Sequence, residues 1–439
     1  MRPSRQEIDR VRQKRCSQDD AGKAEIMTVR LDAPDSNGVR ATNWLVVVLC
    51  FLPIVMDGFD ATSLSLAVPA LAEGWGLAPA AFTVPLVATS VGVFAGYLGS
   101  GWLAQRFGRR RLLIGSVGLF SLGTMITAVV LPAHSIEALG VVRLVTGLGF
   151  GGALPSAVAV ATDFSSNRRR DVVSLLVALG IAAGATAAGF VYLPLIASFG
   201  VTGLFWLAGA ASAVLVLPMA VLLPPEPAAQ QDAGGAPRGE RVGQLFARGV
   251  RINTLLLWLY ASLVFMVSTA LSTWAPVLLT ELGVSAAEAP LGLAFIYLGA
   301  IVGGVAMIPL VAWAGIGRML IAMPVLTAIL VLASVSLELG GLVLLLVLCG
   351  VGAAVTASQN GQLAMAVALY PREQRTTGIG WSSAMGRAGS VAGPGVTGVL
   401  LGLGTPASTI FSLAAGAMVV AVGCAALLRA SMRSGARAF

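Results

Sequence analysis

Residues 43–70 read NWLVVVLCFLPIVMDGFDATSLSLAVPA, a run in which Asp57 and Asp60 are the only charged side chains. A hydrocarbon core about 30 Å thick is crossed by about 20 apolar residues in a helix. The run is therefore long enough to span a bilayer. Each ionised carboxylate placed near the centre of such a helix costs roughly 2.5–3.5 kcal/mol on insertion scales, so intramembrane acids face a polar cavity and mark an ion or substrate path. Three residues advance a helix by about 300°, so Asp57 and Asp60 point toward nearly one face.

The composition repeats that reading along the whole chain. Of 439 residues, 57% are hydrophobic and 11% charged, and the mean hydropathy is +0.87. Those values describe an integral membrane protein rather than a soluble domain. Twelve helical spans are expected, near 43–70, 80–104, 112–131, 137–161, 172–197, 202–223, 252–280, 290–312, 318–337, 341–369, 377–402 and 406–428, which gives an all-α membrane fold. Short loops rich in Lys and Arg stay in the cytoplasm. With both termini inside, 26 of the 28 basic residues fall in the N-terminal tail, in alternate loops and in the C-terminal tail, and the other two, Arg143 and Arg387, fall inside helices. One span more or fewer would destroy that pattern. The net charge of +8 is thereby assigned to topology, facing anionic lipid, with no nucleic acid as partner. Arginine dominates over lysine, which suggests a bacterial cytoplasmic (inner) membrane.

Five regions follow: a polar N-terminal tail (1–42), a six-helix bundle (43–223), a cytoplasmic linker with PPEP and four arginines (224–251), a second six-helix bundle (252–428) and a C-terminal tail (429–439). The tail lacks the apolar core of a signal peptide. Two six-helix halves around a linker give the layout of the major facilitator superfamily, in which substrate sites lie between the halves near the midplane. A single histidine, His134, and four scattered cysteines suggest neither a metal site nor a disulfide framework, and no phosphate-binding G-x-x-x-x-G-K-[ST] loop is present. No cofactor and no enzymatic activity are expected, and a monomer is the simplest assembly.

Local motifs sharpen the resemblance. Gly101-Trp-Leu-Ala-Gln105-Arg106-Phe-Gly108-Arg109-Arg110 is similar to the superfamily's G-x-L-A-D-R-x-G-R-R loop, with Gln105 in place of the usual Asp. Arg143-x-x-x-Gly147-x-Gly149 resembles its R-x-x-x-G-x-G pattern. Asp57-Gly58-Phe59-Asp60, Tyr370-Pro371-x-x-x-Arg375-x-Thr377-Gly378-x-Gly380-Trp381 and Gly386-Arg387-x-Gly389 resemble the aromatic acid/proton symporter family within it. Ser272-Thr-Trp274-Ala-Pro276 resembles that family's S-S-W-L-P. The second-half loop Trp313-Ala-Gly-Ile-Gly317-Arg318 lacks the acidic residue and the histidine often found there. The resemblance implies import of a small aromatic carboxylate with protons by alternating access. A nicotinate-type importer and a proton-driven exporter are the alternatives. Helix five lacks the G-P-x-x-G-G ending of antiporters, which favours import.

The candidate residues suit that chemistry. Two close carboxylates in low dielectric cannot both stay ionised cheaply, so Asp57 and Asp60 form a proton-coupling pair, with Asp60 the preferred carrier. Their alternative roles are a cap at a kink beside Gly58 and a permanent pair with Arg143. Arg143 is expected about 9 Å in from the outer end of its helix, and Arg387 about 15 Å in from the cytoplasmic end of helix eleven. Arg143 faces the cavity by resemblance, to lower an aspartate's proton affinity or hold a carboxylate. The planar guanidinium of Arg387 matches a carboxylate in two-pronged geometry; a fixed salt bridge to Asp57 or Asp60 is its alternative. Gln359 and Asn360 either bond substrate hydroxyls or link neighbouring helices. Trp274, Tyr297 and Trp381 either form a ring-stacking wall or pack between helices. Gln105, Arg106, Arg109, Arg110 and Arg375 are the gating candidates at the cytoplasmic face. Because Gln105 lacks the charge expected to lock the halves together there, Gln105→Asp is expected to shift the population outward. Labelling of cytoplasmic-side cysteine probes reads that shift, and unchanged accessibility would refute it.

Overall fold

A computed structural model describes residues 42–225, 251–337, 341–370 and 375–435. The expected tail over 1–42 and the linker over 224–251 lie almost wholly outside the described residues. The first half contains α1 (Trp44–Trp75), α2 (Thr83–Phe107), α3 (Arg109–Val130), α4 (Ile136–Asp163) and a helical run Arg170–Leu222 of 53 residues. That run is broken at Gly200, whose φ of 68° and ψ of 176° are not helical. Val173 near its start and Met219 near its end share one buried cluster with Val46 and Leu113. Both ends of the run therefore lie on the same side, and it reverses at Gly200 into α5 (170–199) and α6 (201–222). The second half contains α7 (Arg251–Glu281), α8 (Ala289–Ala314), α9 (Ile316–Ser336), α10 (Gly341–Leu369), α11 (Arg375–Gly402) and α12 (Ala407–Gly435). The last helix continues seven residues beyond its expected end at 428.

Ten helical runs among the described residues are long and apolar enough to cross a membrane. One of them is the doubled run. Arg375–Gly402 is also long enough, but its glycines and the charge of Arg387 keep its hydropathy low. Twelve crossings result. Asn43 caps the start of α1, its side chain accepting from the Val46 amide, and Gly76 ends that helix in the left-handed conformation.

Glycines decide which helices pair, because a missing side chain lets two backbones touch. A Cβ on Gly58 would overlap the Ile181 carbonyl, and one on Gly184 would overlap that of Val55, so α1 crosses α5 between the two aspartates. Gly92 and Gly96 meet Leu144 and Leu148 while Gly147 and Gly151 meet Thr89 and Val93, so α2 crosses α4. The second half repeats both pairings. Gly389 and Gly393 bring α11 onto Ser262 and Met266 of α7, and Gly299 and Gly303 bring α8 onto Cys349 and Ala353 of α10. The turns α2–α3 and α8–α9 also match, with Gly108 at φ 86°, ψ 150° and Gly315 at φ 79°, ψ 147°.

The two halves meet along α2 with α11 and α5 with α8. Gly395 and Gly398 approach Val87 and Thr83, and Gly189 approaches Pro290 and Ala294. Two apolar clusters join the halves, one running from Leu71, Phe82 and Leu131 to Leu271 and Phe411, the other from Leu66 and Tyr192 to Leu279 and Leu293. Every first-half residue in them lies on the side away from the arginine-rich loops. The cluster of Val46, Leu113 and Val160 and that of Met307, Met319 and Ala357 sit toward the arginine-rich side, and each belongs to one half only. Apolar packing therefore closes the seam at the arginine-poor end. Gly58→Ala is expected to lower stability by about 1–3 kcal/mol through overpacking at α5. Gly115→Ala, where a Cβ meets nothing within 4 Å, should not do so. Thermal melting of the two purified variants in detergent tests this, and equal melting temperatures would contradict the assigned crossing.

Candidate functional site

The crossing of α1 over α5 fixes Asp57 and Asp60 on the inner face of the first half. Asp60 is 1% exposed and Arg143 of α4 is 0% exposed. The Arg143 Nη1 donor lies 3.3 Å from Asp60 Oδ2 and 3.4 Å from Oδ1. Thr124 of α3 donates to the same Oδ2 at 2.8 Å. The Phe205 ring of α6 lies 6.0 Å from the Arg143 guanidinium carbon. Four helices thus surround one charge pair, while Arg143 Nε and Nη2 have no hydrogen-bond partner. A pair this deep is held against a desolvation cost of several kcal/mol per ion, so removing either partner is far more damaging than removing both.

Asp57 is also buried, at 5% exposure, and lies within electrostatic range of Asp60 and of Arg387. Arg387 comes from α11 in the other half and is half-buried. Neither aspartate lies within ion-pair distance of it, because the ion pairs among the described residues are Arg143–Asp60 and Arg109–Asp163. The Arg387 Cζ lies over the Tyr97 ring of α2, 4.9 Å from its centroid. Tyr297 of α8 places its hydroxyl beside Thr62 of α1 and Ser272 of α7, next to Asp57. Asp57 of the first half and Arg387 and Tyr297 of the second therefore face one another at the seam, beside the Asp60–Arg143 pair inside the first half.

The Major Facilitator Superfamily profile matches residues 50–363. The chain belongs to that superfamily. Its relatives include the 3-(3-hydroxy-phenyl)propionate transporter of Escherichia coli (strain K12), 32% identical over 91% of this chain and 97% of that protein. They also include the gallate transporter of Pseudomonas putida, 29% identical over 86% of this chain and 90% of that protein. The nucleoside transporter NupG shares the fold, with a TM-score of 0.71 at 14% identity, covering 87% of this chain and 98% of that structure. These relatives bear out the resemblance to the superfamily's aromatic acid branch that the motifs carry. The chain is a multi-pass membrane transporter and not an enzyme.

The remaining candidates fall into separate places within the superfamily fold. Gln359 and Asn360 are half-buried on α10, and Asn360 lies near Gly304 of α8 where Leu179 of α5 also approaches, which places Asn360 at the seam. Trp274 is fully buried and its indole donates to the Pro394 carbonyl at 3.0 Å, tying α7 to α11. Trp381 stacks on Trp258 at 5.7 Å within the second half. Trp274 is thus committed to helix packing, one of the two alternatives the sequence left open, while Trp381 keeps an exposed ring beside Trp258. At the arginine-rich face, Arg109 pairs with Asp163 at 2.9 Å and Arg110 donates to the Leu223 carbonyl at 2.9 Å, while Arg106 lies over the rings of Trp102 and Phe107. All these contacts lie within the first half, and Gln105 is exposed. The side chain of Arg375 lies outside the described residues.

Two side chains escape the sequence reading: Tyr97 and Thr124 lie in helices whose motifs do not mark them. Gln362, part of the polar cluster of α10, is fully buried and donates to Ser382 of α11. Asp60→Asn leaves the Arg143 charge buried and unpaired, with an expected loss of about 3–5 kcal/mol. The double variant Asp60→Asn with Arg143→Gln is expected to recover most of it. Melting temperatures of the three proteins check this, and a double variant no more stable than the single one would show that the pair is not the source.

Proposed function

We propose that this transporter imports a small aromatic carboxylate together with protons, across a bacterial cytoplasmic membrane, with both termini on the cytoplasmic side. The observation that carries the reading is the charge balance of the site. Asp57 and Asp60 supply two negative charges and Arg143 and Arg387 two positive ones. An arriving carboxylate adds one negative charge, and one proton on an aspartate restores neutrality. A seam that closes over an uncompensated charge meets the full desolvation penalty, so substrate and proton cross together or not at all.

The geometry supports separate roles for the four groups. Asp60 is already held by Arg143 and Thr124 and acts as the fixed anion of the first half. Asp57 has no cation within ion-pair distance and lies across the seam from Arg387, so no fixed partner holds it, and we assign it the carrier role ahead of Asp60. Arg387 keeps its N–H edge for the substrate's carboxylate, which its planar fork matches. Asn360 at the seam, with Gln359 next to it in α10, suits ring hydroxyls. The relatives transport hydroxylated aromatic acids by name, and the present chain aligns with nearly their full length. Closure of the arginine-poor end supports a site facing the cytoplasm, the state from which an importer releases its cargo.

Proteoliposomes loaded at higher internal pH are expected to accumulate 4-hydroxybenzoate, and Asp57→Asn should abolish that accumulation while sparing exchange of internal for external substrate. Equal accumulation with and without the gradient would overturn the coupling. Proton flux opposite to substrate would identify an exporter instead.

A further inference from the structure

The seam between α2 and α11 is tight at its arginine-poor end, where Val87 meets Gly395 and Thr83 meets Gly398. Tyr97 is ten residues farther along α2, about 15 Å toward the arginine-rich side. There its ring lies against Arg387, so a contact between the halves persists at the depth of the charges. Both side chains are half-buried, and the pair belongs to neither half alone.

A guanidinium has two chemically different surfaces. Its planar faces are weakly hydrated and stack on aromatic rings, whereas its edge carries the N–H donors that grip a carboxylate. With its Cζ over the Tyr97 ring and no aspartate in ion-pair range, Arg387 is held from the other half by a contact that takes up none of its N–H donors in an ion pair. A long, flexible side chain is thereby fixed before the ligand arrives, which lowers the entropy lost on binding. We propose that Tyr97 is a positioning residue that presents the edge of Arg387 to the substrate's carboxylate, and so sets the preference for acids over uncharged rings. This rests on the reading of Arg387 as the carboxylate-binding group.

The test uses the purified full chain and measures Kd for 4-hydroxybenzoate and for its uncharged amide. In the unmodified protein the acid is expected to bind more tightly than the amide, and Arg387→Gln should erase that preference; an intact preference there would sink the parent reading and this proposal with it, whereas the Tyr97 variants test the proposal alone. Tyr97→Leu is expected to weaken acid binding roughly tenfold, in line with a partly desolvated cation–π contact, while amide binding changes little. Tyr97→Phe should stay close to the unmodified protein, and the change to Leu should have no further effect in the Arg387→Gln background. Equal weakening of acid and amide by Tyr97→Leu, or an additive loss in the double variant, would overturn the proposal. Should Tyr97→Leu fail to fold, Tyr97→Trp decides: it keeps or raises the acid preference if the ring holds the guanidinium, and a lost preference in a folded Trp variant refutes it.

Discussion

Charge neutrality in a medium of low dielectric is the constraint on which this transporter is organised. Asp60 and Arg143 sit in the first half with essentially no solvent exposure, and their mutual attraction is what offsets the cost of keeping either ion there. Asp57 and Arg387 stand in a different relation. They belong to different halves, attract each other across the seam and stay beyond ion-pair distance. The first pair is part of the scaffold, and in the proposed mechanism the second supplies the cation and the anion that change partners with substrate and proton.

The scaffold makes this arrangement possible through backbone contact rather than through large side chains. In lipid the driving force between helices comes from close packing, because an apolar helix surface gains little by leaving hydrocarbon. Gly58 lies between the two aspartates and admits the carbonyl of Ile181, which anchors α1 on α5 and leaves the acids facing α3, α4 and the seam. The corresponding crossing in the second half, α7 with α11 at Gly389 and Gly393, anchors the helix that carries Arg387. Each ionisable helix is thus held rigidly inside its own half. The halves themselves meet through apolar clusters at one end, and packed surfaces of that kind can separate and re-form as units.

Much of this was legible in the residues because the bilayer restricts what a chain can do. A polar backbone must satisfy itself within helices, so hydropathy and the alternation of arginines fix the number of crossings, and a glycine pair spaced by four marks a close contact. Charges in those segments stand out for the same reason, which is why Asp57, Asp60, Arg143 and Arg387 could be picked without a structure. The charge-bearing α11 is less apolar than the other spans, yet its expected range, 377–402, matches the helix Arg375–Gly402.

Partnership was not legible. Whether Arg143 or Arg387 pairs with an aspartate depends on distances of an ångström or two between helices far apart in the chain, and only the packing of α3 and α4 around α1 settled it in favour of Asp60 with Arg143. Trp274 and Trp381 read as candidate ring-stacking residues by type, yet the approach of α7 to α11 consumes one indole and stacks the other on Trp258. Tyr97 carried no signal at all, since a tyrosine in an apolar helix looks like packing until the neighbour from the other half is seen to be a guanidinium. Sequence by itself determined which groups are costly to bury and how many times the chain crosses the membrane, because both follow from transfer free energies of single residues and segments. Tertiary structure decided which of those groups meet, because that is set by the crossing of helix backbones and not by any property of one helix alone.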